Sequence, residues 1–281
     1  MNTQPRVYPI SIVDVFAERP LAGNQLAVVR DAQSLTSAEM QAIALETNFA
    51  ETTFVTRYED GVADVRIFTP AWELPFAGHP TVGTAWALTQ GKTDITLNLG
   101  VGPVPVTFAD GIGWMTPPTV DLGGHGDADM AARLIGLSVD ELDTELPVQF
   151  AQVGPKFVLI PVRSLSALKA AKFNANLHAE LLAQGLGVQC VFFFTAEAYG
   201  PDAHFASRMF FESAGPREDA ATGSANTAFA AYLKAHRGLL GDIVVDQGVE
   251  INRPSRLYLE VAEVIRVGGR VQPVMQGELT L

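Results

Sequence analysis

Residues 73–88 read ELPFAGHPTVGTAWAL. Beyond Gly78-His79-Pro80 the run is built from small side chains: Thr81, Gly83, Thr84 and Ala85. A helix this slender leaves room on nearly every side, so strands can approach it closely. It suits the centre of a curved sheet better than the surface of a flat one. Residues 218–230, EDAATGSANTAFA, repeat the pattern, setting Gly223-Ser224 opposite Gly78-His79. An Arg-apolar-Phe strand precedes each copy, Arg66-Ile67-Phe68 in the first and Arg208-Met209-Phe210 in the second. Recurrence of one unit in order and spacing is the mark of an internal repeat. The expectation is an α+β fold of two pseudo-symmetric domains, each a curved antiparallel barrel-like sheet around a central helix. The helix starts would wall one cleft. The Pro- and Gly-rich stretch 116–127 reads as a linker, which gives domains at 1–118 and 128–281, the last strand being free to cross to the first half.

The remaining pattern agrees with that frame. Alternating or β-branched runs predict strands over 8–16, 26–29, 51–55, 63–68, 94–99, 104–108 and 112–115, and again over 156–162, 191–195, 205–211, 243–245, 256–261, 263–267 and 271–277. Thr36 with Glu39, and Ser138 with Glu141, are capping boxes opening helices. Further helices are expected over 129–135 and 176–184. Gly185 and Gly238 are placed as left-handed stops.

Composition excludes several classes of function. With 19 basic and 31 acidic residues the chain carries a formal charge of −12, which disfavours a phosphate backbone and hence nucleic acid. No apolar run reaches membrane-spanning length, and no leader pattern opens the sequence. Cys190 is the single cysteine, so a cysteine metal cluster and an intrachain disulfide are excluded, and a cytoplasmic location is expected. The five histidines are scattered, giving no zinc pattern, so no metal is expected. Neither a dinucleotide fingerprint nor a phosphate-binding loop is present, and Ala221-Thr-Gly-Ser-Ala225 lacks the glycine spacing of a nucleophile elbow.

The chemistry lies around the two glycine turns. A glycine at a helix start lets several backbone amides converge where the helix dipole adds positive character. Gly78 and Gly223 would together grip an anion such as a substrate carboxylate. Near them stand Glu51, His79, Asp219 and Ser224. Each has a plain structural explanation: a surface carboxylate, a turn histidine, a dipole-compensating acid and a helix cap. Taken together they form a proton-transfer set that calls for neither metal nor cofactor.

The segments ETTFV at 51–55, RIFTP at 66–70, ELPFAGHP at 73–80, Glu218-Asp219 before ATGSA, Gln247-Gly248 and Arg253-Pro-Ser-Arg256 resemble the PhzF-like family of phenazine biosynthesis. The resemblance runs over nearly the whole chain and implies the diaminopimelate epimerase-like fold. It further implies a cofactor-independent isomerase, similar to trans-2,3-dihydro-3-hydroxyanthranilate isomerase. Glu51 would shuttle the proton, His79 and Asp219 would orient the substrate and assist, and Ser224 with the amides around Gly78 and Gly223 would hold its carboxylate. Members of that family are often dimeric, so a homodimer is carried on resemblance alone. The related epimerases place cysteines where Ala77 and Thr222 stand here, which rules out two-thiol racemisation. The alternatives are an epimerase-like enzyme working through one base, and a non-catalytic metabolite-binding protein on the same fold. Ala220 and Gln25 replace prolines usual in the family, and Trp72 lies in the loop before Glu73, so the substrate stays open.

Overall fold

The computed structural model describes residues 5–212 and 215–281; the first four residues, part of the segment read for a leader, lie outside them. The chain divides into two compact units. One comprises the chain up to Thr116 together with Gly268–Leu281, the other Pro117–Val267.

In the first unit β1 (Val7–Val15) lies between β2 (Asn24–Val29) and the returning β18 (Val271–Thr280), antiparallel to both. The sheet continues through β3 (Glu51–Glu59), parallel to β2, and β4 (Val62–Phe68), antiparallel to β3. β4 then pairs with the short β5 (Glu73–Leu74) and, in parallel, with β6 (Ile95–Leu99); β7 (Gly102–Ala109) and β8 (Ile112–Met115) follow as antiparallel hairpins. Side chains alternate across a strand. Phe54 and Phe68 therefore face α1 (Ser37–Thr47), where they pack with Met40, Ile43 and Ala44. The other face wraps α2 (Gly78–Thr89), which touches β1, β2, β3, β6, β7, β8 and β18. Thr53 on β3 meets Thr84 on α2 at 2.8 Å. Every residue from Gly78 to Ala85 is buried.

The second unit repeats this strand for strand. β10 (Gln149–Gln152), β11 (Lys156–Pro161) and β12 (Cys190–Thr195) are joined antiparallel, then parallel, as β1 to β3 are. β13 (Phe205–Glu212) takes the place of β4, pairing antiparallel with β12 and β14 (Pro216–Asp219) and parallel with β15 (Gly241–Gln247), which β16 (Ser255–Val261) flanks. The outer face packs on α3 (Ala128–Leu134), α4 (Leu165–Ala170) and α5 (Ala175–Ala183). The inner face holds α6 (Gly223–Arg237), whose Phe229 contacts Phe192, Phe194 and Phe205. β17 (Arg266–Gly269) carries the chain back to the first unit.

Three sequence expectations need correction. The 116–127 stretch is not wholly linker. β9 (Asp121–His125), including Gly123 and Gly124, pairs with β10, and Gln149 Nε2 donates to Gly123 O at 3.0 Å. The ladder of β10 recruits this largely exposed edge, so no apolar alternation marks it. The strand expected over 263–267 falls on Arg266–Gly269. Gly268 and Gly269 belong to the strand and are packed tightly: a Cβ on Gly269 would lie 2.3 Å from the Phe16 ring and one on Gly268 2.6 Å from Trp114. The turn opened by Ser138 is a 3-10 turn, Val139–Glu141, with its capping box formed.

The slenderness of α2 is tested at Gly83, where an added Cβ would sit 2.6 Å from Leu26 Cδ2 and from Val15 Cγ2. Gly83→Leu is expected to lower stability by about 1–3 kcal/mol despite its better helix propensity, read as a lower urea midpoint. An unchanged midpoint would contradict the close wrapping described above.

Candidate active site

In the first unit three elements converge on the start of α2. Gly23 turns the chain at φ 69°, and a Cβ there would be 2.4 Å from Val15 O. The tight turn delivers Asn24 to the start of β2. Because β2 and β3 run parallel with Leu26 opposite Glu51, Glu51 opens its strand at the same end. Asn48, left-handed at φ 54°, ends α1 just before it. His79 is the second residue of α2, and Pro80 follows in the first turn, where a missing N–H leaves no intrahelical bond unmade.

The His79 ring is 2% exposed. Asn24 Nδ2 lies 3.1 Å from its Nδ1, and Nε2 faces Glu51 Oε2 at 3.5 Å. Nε2 is buried and hydrogen-bonded to nothing among the described residues. Distance alone would allow an ion pair here. Burial argues against it, pushing the imidazole down to about 3, offset in part by a hydrogen bond with the Gln25 backbone. Near neutral pH the ring is therefore uncharged beside a carboxyl that is 12% exposed. Keeping a buried polar atom unbonded costs about 1–3 kcal/mol. A substrate group would relieve that cost.

In the second unit the Arg208–Glu218 pair sets the geometry. The guanidinium donates from Nε and Nη2 to the two carboxylate oxygens, each at 2.8 Å, and from Nη1 to Leu168 O and Ala171 O, closing the end of α4. Arg66 grips Glu73 in the same bidentate way in the first unit, at 2.7 and 2.6 Å. Bidentate pairing fixes orientation as well as position. With Glu218 held on one face of β14, alternation turns Asp219 to the other, towards α6. Asp219 is 6% exposed, and its Oδ2 accepts from Thr222 Oγ1 at 2.6 Å. Gln247 and Asn226 bond to Thr222 in turn. Gly223 and Ser224 are buried in the first turn of α6.

The two central helix starts differ from the others. Thr36, Asp127, Ser164 and Asn174 each cap their helices with a side chain. Ala77 and Thr222, at the corresponding positions of α2 and α6, do not, and neither first turn carries an acid. The Ser224 hydroxyl is thus inside its helix rather than its cap. Both first turns keep their dipole ends without a covering carboxylate from their own residues, which favours an external anion.

Of the residues expected from sequence, Glu51, Gly78 and His79 share the first unit, and Asp219, Gly223 and Ser224 share the second. Sequence reasoning gave no role to Asn24, Thr222, Asn226 or Gln247. The only traces were Gly23-Asn24 and Gln247-Gly248, each a polar residue beside a glycine in a left-handed turn. Cys190 is buried on β12, and no cluster suited to a metal ion occurs among the described residues.

Comparison with known proteins follows the same lines. The family of phenazine biosynthesis-like proteins (PhzC-PhzF) matches residues 13–277. The chain is 37% identical over 274 residues to the trans-2,3-dihydro-3-hydroxyanthranilate isomerase of Pseudomonas aeruginosa, covering 94% of this chain and 92% of that one. Among solved structures, a PhzF-family phenazine biosynthesis protein from Bacillus anthracis superposes with a TM-score of 0.86 at 27% identity, over 98% of this chain and all of that one. A predicted epimerase from Pseudomonas aeruginosa does so with a TM-score of 0.83 at 34% identity, over 97% and 99%.

Burial of neutral His79 has a thermodynamic consequence. Between the ordinary value of 6.5 and about 3, the unfolded chain binds a proton that the folded one refuses. Stability is therefore complete above that window and falls as pH drops through it, by at most about 1.4 kcal/mol per pH unit from this residue. Urea midpoints at pH 5 and pH 7 should differ less in His79→Gln than in the parent. An equal difference would mean that the ring is protonated in the folded state.

Proposed function

Because the chain belongs to the phenazine biosynthesis-like family (PhzC-PhzF), whose curated relatives include isomerases, we propose that it is a cofactor-independent isomerase of a small carboxylated substrate similar to trans-2,3-dihydro-3-hydroxyanthranilate. Glu51 removes a proton from one carbon and returns it to another. The released C–H electron pair forms a new double bond to the neighbouring carbon while the π pair of the existing double bond takes up the proton further along, so the oxidation state is unchanged and no redox partner is required. The neutral His79 ring, fixed on its Nδ1 side by Asn24, presents Nε2 to the same substrate. Asp219 orients a polar group of the substrate, and the amides around Gly78 and Gly223 with Ser224 hold its carboxylate.

The approach of buried His79 Nε2 to Glu51 Oε2 carries this reading. An imidazole kept uncharged beside a carboxyl leaves that carboxyl available as a base. A one-base epimerase is the second reading, favoured by the likeness to the predicted epimerase. It differs in returning the proton to the same carbon. A homodimer and a cytoplasmic location belong to this proposal as well.

Incubation with dihydro-hydroxyanthranilate in heavy water should introduce deuterium at a new carbon. Glu51→Gln should lower that uptake by about 10²–10⁴-fold. Undiminished uptake would remove Glu51 from the mechanism. Loss of optical rotation without migration of the double bond would select the epimerase.

A further inference from the structure

Gln247 ends β15 and is fully buried. Gly248 turns the chain away immediately, at φ 74°, where a Cβ would lie 2.5 Å from both Ala220 O and Arg253 O. The amide of Gln247 is saturated. Its Nε2 donates to Asp219 O at 3.0 Å and to Thr222 Oγ1 at 2.9 Å. Its Oε1 accepts from Thr222 N and from Asn226 Nδ2, each at 3.2 Å. A primary amide has two donors and two main acceptor sites, and all four are used, so turning it over would set donor against donor. The Thr222 hydroxyl then has no choice of direction. Its oxygen receives a proton from Gln247, and its own proton points to Asp219 Oδ2 at 2.6 Å.

The repeat shows that the fold does not require this arrangement. Glu73 lies opposite Phe68 as Glu218 lies opposite Phe210, and Gly100 meets Pro75 as Gly248 meets Ala220. With these anchors the first-unit counterparts of Asp219, Thr222, Asn226 and Gln247 are Leu74, Ala77, Thr81 and Leu99. The same helix start, built on the same glycine contact, closes there with mostly apolar side chains. Thr81 satisfies its hydroxyl on Ala77 O at 2.7 Å. Asn226, by contrast, keeps its Oδ1 buried with no hydrogen bond among the described residues, which is costly. A network that is dispensable to the fold and costly to keep is explained by what it holds.

We propose that Gln247 is a positioning residue, which through the Thr222 hydroxyl fixes Asp219 as a hydrogen-bond acceptor of set orientation for the reaction. The proposal rests on the isomerase reading for Asp219's task, but not for the relay itself. Gln247→Glu keeps the size and the acceptor facing Thr222 N and Asn226, yet replaces the donating nitrogen by a second acceptor and draws the Thr222 proton off Asp219. Losing the hydrogen bond that orients Asp219 should lower kcat about tenfold to a hundredfold, at about 1.4 kcal/mol for each factor of ten. Thr222→Val should produce a similar fall, and Thr222→Ser should recover most of the rate. If Gln247 acts through Thr222, the Gln247→Glu/Thr222→Val double variant is no slower than the slower single variant. Multiplying effects would overturn the relay, and so would a Thr222→Val enzyme of undiminished kcat.

A second readout is independent of turnover. The Asp219 carboxyl carbon, labelled with carbon-13 and assigned by its loss in Asp219→Asn, should shift in Gln247→Glu and in Thr222→Val but stay near its parent position in Thr222→Ser. An unmoved signal in Gln247→Glu overturns the proposal whatever the substrate proves to be. A shifted signal in a protein that moves no proton on dihydro-hydroxyanthranilate overturns the isomerase reading and leaves the relay standing.

Discussion

A sheet can close around a helix only if the helix is narrow. Gly83 marks the limit, since not even a methyl fits between it and Leu26 and Val15. From that constraint much of the molecule follows. Small side chains leave the first turns of α2 and α6 with little to hold themselves, so their stability comes from the burial of Gly78–Ala85 and Gly223–Ala230 inside their own sheets. Burial brings the helix starts against strand ends. There the first turns, without a cap from the Ala77 or Thr222 side chain, favour an external anion.

Repetition of the frame makes its differences readable. The strands of both units pair in the same order and sense, and Arg66–Glu73 and Arg208–Glu218 tie the same two strands in each. Within that frame the first unit carries a carboxyl and an imidazole at the strand end and helix start. The second puts Cys190 and Ser224 at the matching positions, as the parallel registers of Leu26 with Glu51 and Phe157 with Cys190 show. The second unit in turn adds an acid-and-amide network where the first is largely apolar. Neither unit has both sets, so the polar groups at corresponding places differ between copies of one structure.

The features legible in sequence were those with a local cause. Glycine followed by small residues marked both central helices. Thr36 with Glu39 and Ser138 with Glu141 announced their capping boxes, and both form. Glu51, His79, Asp219 and Ser224 were singled out because each stands beside a glycine turn or a strand end. What stayed hidden depends on partners distant in sequence. β5 and β14, of two and four residues, are held by the arginine clamps rather than by any propensity of their own. β9 is recruited by its neighbour. Gln247 is a single amide with no periodicity, and its four partners become apparent only when β15 is laid beside the start of α6.

The pairing of β18 with β1 bears on how the chain is made. Those strands lie at opposite ends of the sequence, from Val7 opposite Thr280 to Val15 opposite Val271. The first unit is therefore interrupted, and the second is continuous. During synthesis the second unit has all of its strands in hand while the first still lacks an edge, and domains tend to fold as units as they emerge. Closing a loop of that span also delays the contacts that depend on it. The β1 edge, and with it the strand that feeds the Gly23 turn and places Asn24 against His79, receives its partner last. Completion of the corner where Asn24 meets His79 is thereby coupled to the synthesis of β18.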